Sequence, residues 1–225
     1  YIYLGGNSMD NITDVVMTGE STNNYFGGSV CSAGDVNGDG YSDVVAGAYG
    51  RNSFTGKSYI YFGGASMNST ADVTLSGEAV VNYFGTSVSS AGDINGDGFS
   101  DIIIGAYGNN SNSGKSYIYF GGSIMDTVAD VTMTGEGINN NFGYSVGLAG
   151  DLNQDGYSDL LIGAYGYGSN TGRAYYFTNT MSGEDLFDLT ITGESANSNL
   201  GSSISSAGDV NGDGYADVII GAYLF

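Results

Sequence analysis

The feature that most constrains this chain is a period. "SAGDVNGDGYSDVVAGAYG" at 32–50 returns as "SAGDINGDGFSDIIIGAYG" at 90–108, "LAGDLNQDGYSDLLIGAYG" at 148–166 and "SAGDVNGDGYADVIIGAY" at 206–223. The leading aspartates, Asp35, Asp93, Asp151 and Asp209, stand 58 residues apart at every step. Other landmarks keep the interval. Phe26, Phe84, Phe142 and Leu200 each precede a glycine, Glu20, Glu78, Glu136 and Glu194 each close a Thr/Ser-Gly-Glu, and tyrosine-rich runs open at Tyr1, Tyr59, Tyr117 and Tyr175. A fixed period of this length marks an array of equivalent supersecondary units. The expectation is a single array over 1–225, with units of about 1–58, 59–116, 117–174 and 175–225.

Each unit reads as four short strands. In the first, "FGGSVCSAGD" (26–35) is small and partly apolar, and "DVVAGAYG" (43–50) is the continuous apolar run of a strand buried on both faces. "KSYIYFGG" (57–64) alternates, placing Tyr59 and Tyr61 on one face and Ile60 and Phe62 on the other; "ADVTLSGE" (71–78) alternates again. No stretch of a dozen residues carries helical spacing. Forty glycines without a proline suit many strands joined by tight turns. The predicted fold is all-β, a β-propeller of four 58-residue, four-stranded blades. The rival, a calcium-binding β-roll, needs a short internal G-G-x-G-x-D period that is absent.

The last unit stops at "GAYLF", after its first two strands, while the chain opens on a tyrosine run. The N-terminal "YIYLGG" and "DVVMTGE" are therefore expected to complete the last blade, removing a free strand edge. The same complementarity allows strand exchange between two chains joined head to tail. The start at Tyr1, without methionine or signal peptide, is read as a processed or truncated one.

The formal charge is −20, from 24 acidic residues against four basic ones. Such a surface repels phosphate backbones and anionic lipid headgroups, which argues against nucleic-acid binding. No apolar run is long enough to insert in a membrane as a helix. Half of the acids, 12 of 24, fall in the four Asp-rich segments. The lone Cys31 aligns with Ser89, Gly147 and Ser205, so it reads as a small strand residue rather than a reactive thiol.

Those segments follow D-x-N-x-D-G-x-x-D. Calcium takes six to eight hard oxygens, and alternating residues of a tight loop aim oxygens at one centre. Glycine at the sixth position permits the sharp turn, and the seventh carbonyl and ninth carboxylate can complete the shell. The candidate ligands are Asp35, Asn37, Asp39, Tyr41 (carbonyl) and Asp43, and then Asp93, Asn95, Asp97, Phe99 (carbonyl) and Asp101. The third and fourth sets are Asp151, Asn153, Asp155, Tyr157 (carbonyl) and Asp159, and Asp209, Asn211, Asp213, Tyr215 (carbonyl) and Asp217. Oxygen donors without His or Cys disfavour zinc and favour Ca2+, four per chain. Asp, Asn and Gly also make ordinary turns, so it is four copies in one register that carry this reading.

"FGGSVCSAGDVNGDGYSDVVAGAYG" resembles the FG-GAP repeat of integrin α-subunit propellers and of many bacterial secreted proteins. The resemblance implies a calcium loop between the first two strands of each blade, held by the residues named above. Three departures stand out. Gly47-Ala48-Tyr49 replaces the family's Gly-Ala-Pro, Gln154 replaces a loop glycine, and four units stand where integrin propellers have seven blades.

The absence of histidine rules out Ser-His-Asp and Cys-His systems within this chain. The carboxylates that could cleave glycosides are claimed by the loops. The recurring glutamates fit a packing role, so the chain is not expected to be an enzyme. The function expected is a calcium-stabilised extracellular or cell-surface module for adhesion, binding protein or glycan through inter-blade loops such as "GRNSFTG", "GNNSNSG" and "GYGSNTG". A structural repeat of a larger array or filament is the alternative. Weakly preorganised loops suit millimolar calcium outside the cell, and sequons at Asn11, Asn68 and Asn109 are compatible with it.

Overall fold

The computed structural model describes residues 1–6, 10–178 and 187–224; Phe225 of "GAYLF" lies outside them. The first sheet is β1 (Phe26–Gly34), β2 (Asp43–Ala48), β3 (Lys57–Tyr61) and β4 (Val73–Ser76). The second is β5 (Ser87–Gly92), β6 (Asp101–Ala106), β7 (Lys115–Tyr119) and β8 (Val131–Thr134). The third is β9 (Ser145–Gly150), β10 (Asp159–Ala164), β11 (Arg173–Phe177) and β12 (Leu189–Thr192). β13 (Leu200–Gly208) and β14 (Asp217–Ala222) pair as a two-stranded sheet. Within each of these sheets the strands pair antiparallel and in chain order.

The expected faces are found. Ile60 lies in a core with Val45 and Leu75, with Phe62 packed against it, whereas Tyr59 and Tyr61 join Met17 and Phe26 on the other side. Strands β6 and β10 are buried throughout, as their unbroken apolar runs require. Cys31 is a half-buried strand residue packed against the first core.

Neighbouring sheets meet where two glycine motifs touch. A Cβ added to Gly47 would lie 2.0 Å from the Gly85 carbonyl oxygen, and one on Gly105 would lie 1.9 Å from that of Gly143. Gly163 and Gly201 repeat the contact at 2.0 Å. The Gly-Ala of one sheet and the Phe-Gly of the next are thus two halves of one junction, where only hydrogen leaves room for the backbones. Next to the glycine, Phe26, Phe84 and Phe142 stand edge-on to Tyr59, Tyr117 and Tyr175 of the third strands.

The recurring glutamates also join units. Glu20 binds Arg51 and Lys57, Glu78 binds Lys115, and Glu136 binds Arg173, at 2.8–3.1 Å. All four basic side chains of the protein are used in this way.

The N-terminal segment requires a correction. Ile2 bridges Val15 as Ile60 pairs with Val73, and Leu4 N–H donates to Asp14 Oδ2 as Phe62 N–H does to Asp72. Residues 1–6 and 10–17 therefore stand where the third and fourth strands of a blade would, joined by the single Ile2–Val15 bridge. They do not complete the last one. Met17 packs on Tyr59 and Tyr61, and Glu20 is held by Lys57, so the pair sits beside the first sheet. Among the described residues no hydrogen bond joins 1–20 to β13 or β14. The chain thus holds three four-stranded sheets and a two-stranded one rather than four equal blades.

Candidate functional site

The four acidic loops connect the first and second strands of their sheets, at the same end of each sheet. Each closes on itself through its own backbone. Asp35 Oδ1 accepts from the amides of Gly38 (2.7 Å) and Asp39 (3.1 Å), and Oδ2 from Gly40 (2.8 Å). Asn37 Oδ1 accepts from Asp39 N–H at 2.9 Å while its amide donates to Asp39 Oδ2, and Asp39 Oδ1 accepts from Tyr41 N–H. Asp93, Asn95, Asp97 and Phe99 repeat this set, as do Asp209, Asn211, Asp213 and Tyr215. In the third loop Asp151 accepts from Asp155 and Gly156, and Asn153, Asp155 and Tyr157 keep their places. Gln154 takes φ +59°, the left-handed turn that glycine makes at 38, 96 and 212. Its side-chain amide reaches the Gly214 carbonyl of the fourth loop at 2.8 Å.

The ninth residue differs from the rest. Asp43, Asp101 and Asp159 are fully buried at the start of β2, β6 and β10. Asp43 Oδ2 accepts from Val36 N–H and Oδ1 from Gly63 N–H, the residue that follows the third strand by two. Asp101 binds Ile94 and Gly121 in the same way. Burial pushes all three carboxyls up, Asp101 to about 6, with neighbouring Asp97 and Asp93 adding to it. Asp217 keeps the first of these bonds, to Val210, and stays partly exposed. At the first position, Asp209 is held below the ordinary carboxylate range by backbone amides, that of Gly214 foremost.

Successive loops touch. A Cβ at Gly38 would meet Phe99 at 2.5 Å, and one at Gly96 would meet Tyr157 at 2.5 Å. Loop carbonyls Asp35 O and Val36 O accept from Ser100 and Gly122 of the next sheet. The loops form a continuous acidic band.

In this arrangement the carboxylates turn onto the loop amides, and among the described residues no three acidic side chains gather tightly enough to hold an ion. The residue types still fit a hard divalent cation. Each loop offers three carboxylates, an amide oxygen and the backbone carbonyl of the seventh residue. No basic side chain offsets them, since all four are spent at the glutamates. A buried carboxylate without a counter-charge is the group a cation would stabilise.

A second feature lies at the other end of the sheets, where the second strand turns into the third. Tyr25 and Tyr49 stack at 4.7 Å, Tyr83 and Tyr107 at 4.8 Å, and Tyr144 and Tyr165 meet edge-on at 4.5 Å. Tyr49–Tyr83 (6.3 Å) and Tyr107–Tyr144 (5.4 Å) link the pairs into one row. Burial, with the other tyrosines adding, lifts Tyr107 to about 12 and raises Tyr49 and Tyr165. The polar turns at 51–54, 109–112 and 167–170, with left-handed residues such as Asn52 and Asn110, border this row. Sequence reading picked out the turns but missed the row. Its signal was the Gly-Ala-Tyr that stands in place of Gly-Ala-Pro.

Four-stranded antiparallel sheets repeated along the chain, each with an acidic loop between its first two strands, define a propeller-type repeat protein. The FG-GAP repeat profile matches residues 26–61, 84–119, 142–177 and 200–225, more than half of the chain, which therefore belongs to the FG-GAP repeat family. Comparison with curated proteins finds no match.

Proposed function

We propose that this chain is a calcium-stabilised binding module that works outside the cell or at its surface, engaging a protein or glycan at the tyrosine-lined rim. The observation that carries it is the buried ninth aspartate of three of the four acidic loops, a carboxylate taken from water without a cationic side chain to offset it. Calcium at Asp35, Asn37, Asp39, Tyr41 O and Asp43, and at the three equivalent sets, supplies that charge and ties together the first two strands of its sheet. Because successive loops touch, the ions stiffen the whole acidic end. The opposite rim is left to recognition, with phenol hydroxyls and Asn/Ser/Thr turns offering hydrogen bonds and flat apolar edges. Equilibrium dialysis with calcium tests the first half, with four ions per chain expected and one or none overturning it. A glycan or protein array probed with wild type and with Tyr83→Ala/Tyr107→Ala tests the second, and equal retention of both proteins would overturn the placement of the ligand at the rim.

A further inference from the structure

Three of the four acidic loops place a glycine directly after the asparagine, at Asn37-Gly38, Asn95-Gly96 and Asn211-Gly212. The third has Asn153-Gln154 instead, and no other Asn-Gly occurs in the chain. Asparagine is a chemically labile residue, and a following glycine makes it more so, because no Cβ keeps the glycine nitrogen from the side-chain carbonyl carbon. Gly38, Gly96 and Gly212 are all exposed to water.

The closed loop keeps the two reacting groups apart. Gly38 N–H donates to Asp35 Oδ1 at 2.7 Å, and that carboxylate opposes loss of the proton that must leave before the nitrogen can attack. The Asn37 side chain is held at both ends, its Nδ2 donating to Asp39 Oδ2 at 3.0 Å and its Oδ1 accepting from Asp39 N–H at 2.9 Å. Asp93 and Asp97 hold Gly96 and Asn95 in the same way at 2.7–2.9 Å, and Asp209 and Asp213 hold Gly212 and Asn211 at 2.6–3.0 Å. These are surface bonds within one short loop, the kind that open locally while the rest of a fold stays intact.

We propose that Asn37, Asn95 and Asn211 are self-modification sites held in check by loop closure, and that modification of an opened loop keeps it from closing again. In the opened first loop the Gly38 nitrogen gives its proton to hydroxide and bonds to Asn37 Cγ. The Cγ–Nδ2 bond breaks, and the amine leaves as ammonia after taking a proton from water. Water then opens the five-membered succinimide at either carbonyl, leaving aspartate or isoaspartate at position 37. One ammonia is lost and one water gained, with no oxidant or reductant. Either product puts a carboxylate where Nδ2 had donated to Asp39, so a hydrogen bond becomes a like-charge contact. Isoaspartate also adds a methylene to the main chain, which breaks the alternation of residues 35, 37 and 39 on which the loop's bonds depend.

The test incubates the full-length chain at mildly alkaline pH, native and in guanidinium chloride, and follows each asparagine by peptide mass spectrometry. The three Asn-Gly sites should convert at least about tenfold faster when unfolded, equivalent to a loop-opening free energy of about 1.4 kcal/mol or more. Asn153 should lag behind them in denaturant, and Gln154→Gly should bring it level. In native protein, Asp35→Ala frees the Gly38 amide and should speed conversion at Asn37 by about tenfold, while Asn95 in the same molecules keeps its wild-type rate. Near-ultraviolet circular dichroism shows whether that variant folds; if it does not, the native and unfolded wild-type rates decide. In wild type aged until part has converted, hydrogen exchange should find the loop amides of modified peptides less protected than those of unmodified ones. Equal rates in native and unfolded chains, Asn153 as fast as Asn37 in denaturant, or equal protection of modified and unmodified loops would each overturn the proposal. All arms share one buffer, so none depends on calcium stoichiometry or on a rim ligand.

Discussion

The second and fourth repeats have nearly the same sequence and opposite surroundings. Ile103 in β6 is wholly buried, whereas Ile219, at the same place in β14, is 62% exposed. Asp101 is sealed by two amides and fully buried, while Asp217 has one and remains partly open. Gly105 is pressed against the backbone of Gly143, but Gly221 faces a side-chain hydroxyl. The lesson is that a blade of this kind gets most of its burial from its neighbours. Identical residues are core in one place and surface in another, according to whether a third strand and a next sheet are present.

The comparison can be broken most strongly through calcium. With free calcium at about 100 times Kd, each occupied loop stabilises the fold by roughly 2.7 kcal/mol, so four loops together shift the melting temperature by tens of degrees. Excess EDTA should therefore lower the melting point on the order of 20 °C or more. Calorimetric titration should separate three tighter sites, backed by Asp43, Asp101 and Asp159, from a weaker one at Asp217. An unchanged melting curve, or four equivalent sites in a monomer, would contradict the distinction drawn here.

Glycine substitutions come next. Gly105→Ala forces a methyl into a carbonyl oxygen 1.9 Å away, and the backbones must part, at about 3 kcal/mol or more. Gly221→Ala meets a serine hydroxyl that can rotate, and should cost under about 1 kcal/mol in the monomer. Urea melts of the two variants compare them directly. Equal losses would mean that β14 is as tightly enclosed as β6.

Ile103→Ala and Ile219→Ala sharpen the same contrast by removing volume. About 2–5 kcal/mol is expected at the buried site, and well under half of that at the exposed one, again from denaturant midpoints at low protein concentration.

The smallest effect concerns the glutamate bridges. Glu20 is pulled down to about 2, chiefly by the Lys57 ammonium. A depressed carboxyl contributes stability above its ordinary pKa of 4.5, and that contribution fades as pH falls toward 2. The pair is partly exposed, so Glu20→Gln should cost less than about 1 kcal/mol at pH 7 and nothing near pH 2. Glu194→Gln, with every basic side chain already engaged elsewhere, should cost less than Glu20→Gln at pH 7. Melting curves of both variants across this range test the difference.

The strands, the acidic loops and the packing role of the glutamates were legible because each rests on short-range chemistry. Alternation sets the faces of β3, Asp/Asn/Gly spacing sets the loop turns, and a glutamate every 58 residues sets the joints. The tyrosine row was not legible, because Tyr49 and Tyr83 lie 34 positions apart and meet only when two sheets pack. Nor could the 58-residue period show that Gly47 and Gly85 belong to one contact.

On its own, then, the sequence determined the repeat, the strand faces, the hard-oxygen donor sets and the absence of any histidine chemistry, since all of these are properties of residue type and local spacing. Tertiary structure alone decided which copies of a repeated residue are buried, which aspartates lose their water, and where residues 1–17 dock. Burial depends on what lies across a junction, and a chain that presents the same motif four times offers equivalent partners at several junctions. Met17 and Glu20 place the N-terminal segment beside the first sheet through the same kind of joint that Glu78 and Glu136 make with the sheets that follow them.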